Sequence, residues 1–333
     1  MMTRYARQAR FNEFGEVGQE HLSAMHVLII GAGALGSHTA EMLVRMGVNH
    51  LTVIDMDIVE LSNLHRQAVY DEEDVSALLP KVEALKEKLR RVNSSVQVDA
   101  LYEEVTNTNM LELLERVQPD IIMDGMDNFK MRYLINEAAI QTGIPWIYGA
   151  VVGSKGSVYA FDHTGPCLKC LFGSMPETAE SCAINGILPP VVQQVASIQV
   201  SELLRYASTK GFSKLLITVD SFDMQFKTLN VDALKNADCE ICTHYNYQLL
   251  NQNEHSPIED LCGDATRFRF NPQAFDYANL IPGTLYKSNS FAKMIRYEDY
   301  TFTLFKDGRM NVHGLTENSE AKKLYDLILK SLK

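Results

Sequence analysis

At 333 residues the chain is long enough for one large domain with a small one beside it, or for two of middle size. Apolar residues at 46% and charged residues at 22% fit a globular protein with a full core, and a net charge of −11 without a long basic run argues against a general binder of nucleic acid. The N-terminal MMTRYARQARFNEFGE lacks the apolar stretch of a signal peptide, and no apolar run approaches the roughly 20 residues of a membrane helix, so the expectation is a cytoplasmic protein without a membrane partner.

From residue 26 to about 150, strand-like runs alternate with helical patterns. The strands read HVLII, HLTVID (50–55), VQVDAL (96–101), DIIMD (120–124) and PWIYGA (145–150). Between them ALGSHTAEMLVRMG (34–47) repeats its apolar residues at helical spacing, as does PKVEALKEKLRRVN (80–93) behind its proline. MLELLERV and MRYLINEAAIQTG continue the alternation. Such βαβ units predict an α/β fold with a doubly wound, mostly parallel, Rossmann-like sheet. GSVYAFD and LLITVDSFDMQFKTLNV predict an antiparallel extension, with LPPVVQQVASIQVSELLRYAS (188–208) as a long helix between them. Residues 246–260 are polar and predict a linker behind a domain of residues 1–245. Within 261–333, RFRF, YTFTLF and MNVHG read as strands, the last two joined by a Lys-Asp-Gly-Arg turn, and SEAKKLYDLILKSLK as an amphipathic helix. The expectation there is a small α+β appendix.

The first strand runs into VLIIGAGALG, which places Gly31, Gly33 and Gly36 at the spacing G-x-G-x-x-G. A glycine turn that opens a helix lets backbone approach phosphate and offers free N–H groups. Asp55 ends the next strand, where a carboxylate can hold ribose hydroxyls. This pair alone does not separate a dinucleotide from ATP. Beyond it stand Arg66 in SNLHRQ, Lys81 at a helix start and Asp127-Asn128 after a strand. Cations and a carboxylate at one sheet edge suit a Mg²⁺-bound triphosphate, whose transfer is catalysed chiefly by charge clamping. Four of the six cysteines form two C-x-x-C pairs, Cys167/Cys170 and Cys239/Cys242, with 68 residues between the pairs. Four thiolates make a closed structural zinc site that staples distant segments.

The ordered set of RYARQ, GxGxxG, D-x-D, SNLHRQ, PKVE, MDGMDN and the two cysteine pairs resembles the MoeB/ThiF/HesA family, bacterial relatives of ubiquitin-activating enzymes. The resemblance covers residue 4 to about 245. It implies an adenylyltransferase that uses ATP and Mg²⁺ to activate the C-terminal Gly-Gly of a ubiquitin-like sulfur carrier. The molybdopterin-synthase carrier is expected first, for molybdenum cofactor biosynthesis, and the thiazole carrier of thiamine biosynthesis second.

By that resemblance Gly31, Gly33, Ala34 and Gly36 form the phosphate turn, and Asp55 holds ribose with Asp57 beside it. Ser62, Asn63, Arg66 and Lys81 touch the phosphates, and Asp127 with Asn128 holds Mg²⁺ or orients the α-phosphate. Arg7 reaches into the neighbouring subunit's site, which makes the enzyme a homodimer. A cysteine desulfurase or rhodanese would supply the sulfur, and Cys182 is a candidate for its transfer, flanked by carboxylates that disfavour its thiolate. Cys262, in LCGDATRF, is expected to carry no chemistry. The competing reading from another class is an NAD-dependent oxidoreductase on the same fold. It would need a hydride-relay residue, and none stands out.

Overall fold

The computed structural model describes residues 4–173, 186–252, 256–261, 265–315 and 318–332, so Cys182 and Cys262 lie outside the described residues. Two compact units organise them: Met1–Glu72 with Pro80–Asn253, and Glu73–Leu79 with Glu254–Lys333.

In the first unit the apolar runs become β1 (His26–Ile30), β2 (His50–Ile54), β3 (Gln97–Leu101), β4 (Ile121–Asp124) and β5 (Trp146–Val152). They pair in parallel in the order β3-β2-β1-β4-β5. Ile30 lies level with Ile54 on one side and with Asp124 on the other, so three strand ends finish in line. The sheet continues antiparallel through β6 (Lys155–Phe161), β7 (Leu215–Asp220) and β8 (Gln225–Asn230). The mostly parallel sheet with its antiparallel extension is as expected.

Strand β1 shows why both faces need cover. Leu28 and Ile30 pack with Leu113, Leu114, Leu134 and Ile135, from the helices Met110–Val117 and Phe129–Thr142. Ile29 turns to the other face, toward the helix Ala34–Met46. A strand buried on both faces reads as a continuous apolar run, which HVLII is. In chain order the helices of this unit are α1 (Ala6–Ala9), α2 (Gly15–Leu22), α3 (Ala34–Met46), α5 (Lys81–Val92), α6 (Met110–Val117), α7 (Phe129–Thr142), α8 (Leu168–Phe172) and α9 (Pro189–Thr209). The short α4 (Glu72–Ser76) precedes α5 and lies almost wholly in the second unit. Among the described residues no helix is long and apolar enough to cross a membrane.

The polar stretch that predicts a linker begins with ordered chain. The N–H groups of Gln248, Leu249 and Leu250 donate to the buried Glu137 carboxylate on α7, at 3.2, 2.9 and 3.0 Å. Leu249 and Leu250 pack on the same core as Leu134.

In the second unit six antiparallel strands stand in the order β11-β12-β13-β14-β10-β9. They are β9 (Ile258–Asp260), β10 (Ala265–Arg269), β11 (Thr284–Ser288), β12 (Ala292–Tyr297), β13 (Tyr300–Phe305) and β14 (Arg309–His313). The helix α10 (Asn318–Ser331) sets Leu324 and Ile328 against Phe268, Phe302, Met310 and Val312.

Candidate active site

The glycine turn is a packing device before it is a binding device. Gly31 has a φ of +97°, and a Cβ there would stand 2.7 Å from the Gly125 carbonyl oxygen. A Cβ on Gly36 would stand 1.8 Å from the Gly31 carbonyl oxygen, and one on Gly125 would stand 2.3 Å from it. Three backbones therefore meet where only hydrogen fits. Gly33 differs: its nearest neighbours to a Cβ are the Gln67 Nε2 at 3.7 Å and the Gly125 oxygen at 4.0 Å. Among the described residues no side chain caps α3, which leaves the N–H groups of its first turn, from Ala34 onward, to a ligand.

Asp55 binds this turn to the next strand end. Its carboxylate accepts from the Ala32 N–H and the Asp57 N–H, both at 2.7 Å. Lys81, the first residue of α5, places its Nζ 3.2 Å from Asp57 and donates its backbone N–H to the Asp57 carbonyl at 2.9 Å. Burial works against the Lys81 charge, but the carboxylates of Asp57, Asp55 and Glu60 outweigh it and raise its pKa. Lys81 is thus a buried, firmly held cation whose partner here is Asp57, so a phosphate would share it with that carboxylate.

Ser62 and Asn63 lie in the 3₁₀ helix Leu61–Asn63, and Arg66 in the turn that follows it. The Arg66 guanidinium donates to the Asn63 Oδ1 at 2.7 Å and to the Ser62 carbonyl at 3.2 Å, which fixes its fork beside both. Two further side chains bring this turn to the glycines. Tyr70 donates its hydroxyl to the Ala32 carbonyl at 2.7 Å, and Gln67 lies over Gly33. Gln67 is 3% exposed, and among the described residues its Oε1 has no hydrogen-bond partner. The uncapped start of α3, the buried Lys81 ammonium and the Arg66 guanidinium supply the donors that phosphate oxygens need, so the residues fit ATP.

On the third strand end, Asp127 is exposed and receives the Asn128 amide at 3.2 Å. Asn128 itself caps α7, its Oδ1 accepting from the Met131 N–H at 2.9 Å. Behind them Asp124 and Arg132 form a buried pair at 2.9 Å. Asp124 also accepts from the Met126 N–H at 2.8 Å, and Arg132 donates to the Met126 and Gly149 carbonyls. The pair sets the path of the Gly125–Asp127 loop. Exposed Asp127 offers a carboxylate that would suit a divalent cation, and such an ion would draw charge from phosphate oxygens.

The structure thus brings Gly31, Gly33, Ala34, Gly36, Asp55, Asp57, Ser62, Asn63, Arg66, Lys81, Asp127 and Asn128 to the carboxyl edge of β2, β1 and β4. A crevice at such strand ends is where open α/β sheets bind ligands. Arg7 lies apart, exposed on α1. Gln67, Tyr70, Gly125, Asp124 and Arg132 escape sequence reasoning. A charged residue closing the apolar run IIMD was the one available signal for the buried pair.

The four cysteines stand together. Their Sγ atoms lie within 4.8 Å of one another, with Cys167 3.7 Å from both Cys170 and Cys239, and Cys170 3.6 Å from Cys242. A tetrahedron with Zn–S bonds of about 2.3 Å has edges of about 3.8 Å, so the sulfurs fit a zinc ion. Burial pushes the Cys167 thiol up and the Cys242 thiol up to about 11. Burial acts likewise at Cys239, but N–H donors from Cys242 and Ile241 outweigh it. A divalent cation would relieve the first two, and the ion would staple α8 to the segment after β8.

Residues 5–241 match the model of the ThiF family. The sulfur carrier protein ThiS adenylyltransferase of Bacillus subtilis is 35% identical over 333 residues, 98% of each chain. A sulfur carrier protein adenylyltransferase of Thermus thermophilus is 36% identical over 72% of this chain and 90% of its own. The Arabidopsis thaliana adenylyltransferase and sulfurtransferase MOCS3 is 34% identical over 72% of this chain and 52% of its own. Among solved structures, Escherichia coli MccB with ATP has the same fold, with a TM-score of 0.61 at 22% identity over 72% of this chain and 74% of that one. The chain belongs to the ThiF family and is an adenylyltransferase.

Proposed function

We propose that the chain adenylates the C-terminal Gly-Gly carboxylate of a ubiquitin-like sulfur carrier, consuming ATP and releasing pyrophosphate. The observation that carries this reading is that three strand ends finish in line at one sheet edge. They supply a glycine turn with free N–H groups, a buried lysine, a forked arginine and an exposed carboxylate. The carrier's carboxylate is ionised near neutral pH and attacks the α-phosphorus without a general base. Charge then grows on the bridging and equatorial oxygens, where Arg66 and Lys81 stabilise it. Arg7 would complete the clamp from the second subunit of a homodimer. Exposed Phe222, Met224, Phe226 and Leu229 on and beside β8 suit a protein substrate over a small molecule.

Of the two carriers expected, the molybdopterin type first and the thiazole type second, we propose the thiazole type. The Bacillus subtilis relative is named for ThiS, and its similarity runs through the appendix, whereas the MOCS3 match stops at 72% of this chain. The activated carrier would then take sulfur from a cysteine desulfurase or rhodanese.

The test is exchange of labelled pyrophosphate into ATP with each carrier. Arg66→Ala should slow it by orders of magnitude, since one such donor is worth roughly 2.7–4 kcal/mol. Tight binding of NAD with no exchange would defeat the reading.

A further inference from the structure

The glycine turn passes from two buried residues, Gly31 and Ala32, to two half-buried ones, Gly33 and Ala34. Its backbone is tied at successive groups. The Gly31 N–H donates to the Ile54 carbonyl at 2.8 Å and the Ala32 N–H to the Asp55 carboxylate at 2.7 Å. The Ala32 carbonyl accepts from the Tyr70 hydroxyl at 2.7 Å. The Gly33 carbonyl accepts from the Ser37 N–H at 3.1 Å, where α3 begins. Among the described residues the Gly33 N–H meets no acceptor.

The Ala32 carbonyl and the Gly33 N–H share one trans peptide plane, in which they point in opposite directions. The bond to Tyr70 therefore aims the Gly33 N–H away from that buried side chain. Nothing in the turn alone enforces this aim. Gly33 stands at φ −74°, and half a rotation of the peptide would carry it into the positive range, which glycine enters freely. The residue that leaves room for phosphate is thus also the one that lets the peptide turn over. Turned over, the plane would offer phosphate a carbonyl oxygen where it now offers a donor.

Tyr70 is itself well held. It is buried, its N–H donates to the Gln67 carbonyl at 3.0 Å, and the Lys88 ammonium lies 6.0 Å from its ring centroid. Lys88 pairs with Asp71 at 2.8 Å and stands on α5, so the helix that begins at Lys81 also backs the tyrosine. All of these residues belong to the first unit. We propose that Tyr70 is a positioning residue for ATP: its hydroxyl locks the Ala32–Gly33 peptide so that phosphate meets the Gly33 N–H. The inference rests on the adenylation reading and names what keeps the glycine turn ready for its nucleotide.

Tyr70→Phe in the full chain keeps the ring and removes the hydroxyl. Its KM for ATP in pyrophosphate exchange should rise about tenfold, the low end for a hydrogen bond to a charged group. The inhibition constant of adenosine, which carries no phosphate, should not change. A tyrosine that only supported the fold would weaken both alike. With isotope-labelled glycine, the Gly33 amide resonance can be identified by its absence in Gly33→Ala. It should shift when Mg²⁺ and ATP are added to the wild type, and far less in Tyr70→Phe. An unchanged KM beside an active wild type, an equal loss for adenosine, or an unmoved wild-type Gly33 resonance would overturn the lock alone. A wild type that shifts Gly33 with ATP yet exchanges no pyrophosphate with either carrier would overturn the adenylation reading and leave the lock standing.

Discussion

Asp124 and Arg132 meet at 2.9 Å with side chains 0% and 5% exposed, one at the end of β4 and the other a turn into α7. The pair spans the loop that carries Gly125 and Asp127, and its side-chain bonds among the described residues go to backbone of that loop and to Gly149. Its worth is therefore geometric: it fixes one wall of the crevice. Breaking a buried pair by removing one partner strands a charge and costs about 3–5 kcal/mol. Arg132→Met should lower the free energy of urea unfolding by that amount and slow pyrophosphate exchange. A loss below about 1 kcal/mol, typical of exposed pairs, would mean that the charges are not sequestered.

At the opposite end of the sheet, His26 and His50 stack with centroids 3.6 Å apart and planes 9° from parallel. Burial, and then the neighbouring His50, hold His26 below its ordinary 6.5 against the pull of Asp120 and Asp99. With the folded value depressed, the unfolded chain binds the proton first as pH falls through 6.5. Stability is thus present above that value and declines below it. The melting temperature should drop between about pH 7 and pH 5.5, and His26→Gln should drop less over the same range. Equal slopes would show that the stack does not govern the decline.

The nucleotide half of the fold was legible because burial on both faces writes strands as unbroken apolar runs. HVLII and IIMD admit few other readings once glycine turns and helical repeats flank them. The appendix was harder for a physical reason. Strand β11 (TLYKS) is an exposed edge, and β12 (AKMIRY) buries only Ala292 and Ile295, so neither shows clean alternation. At the site, residues with charge or glycine spacing announced themselves, whereas Gln67 and Tyr70 act through neighbours distant in sequence. Nor could spacing reveal that residues 73–79 fold with residues beyond 254, because the bonds that join them, such as those from Asn289 and Lys287, come from residues more than 200 positions away.

The cysteine cluster leads to a metal prediction. Four sulfurs at tetrahedral spacing should retain one zinc per chain through purification, measured by elemental analysis. Cys239→Ser should lose the metal and lower the melting temperature by more than it slows pyrophosphate exchange, because the ligands join α8 to the segment after β8 and stand outside the glycine crevice. Metal-free protein with four thiols freely titratable in the native state would refute the site.

Gly33 and Gly36 offer the sharpest contrast, since one methyl group should separate folding from binding. At Gly36 the added carbon would lie 1.8 Å from the Gly31 oxygen and 3.1 Å from the Ile29 side chain, so either the turn or α3 must move. Overpacking of this kind costs about 1–3 kcal/mol, and Gly36→Ala should unfold at correspondingly lower urea. At Gly33 the same carbon meets nothing closer than 3.7 Å, and the φ of −74° is open to any residue. Gly33→Ala should therefore keep its stability within about 0.5 kcal/mol. The methyl would nonetheless stand on the glycine turn beside the first N–H groups of α3, which are proposed to meet the phosphates. Its KM for ATP should rise at least tenfold, a loss of about 1.4 kcal/mol in binding. Normal exchange by Gly33→Ala would remove the phosphates from this turn, and a fully stable Gly36→Ala would mean that the three glycines do not meet as described.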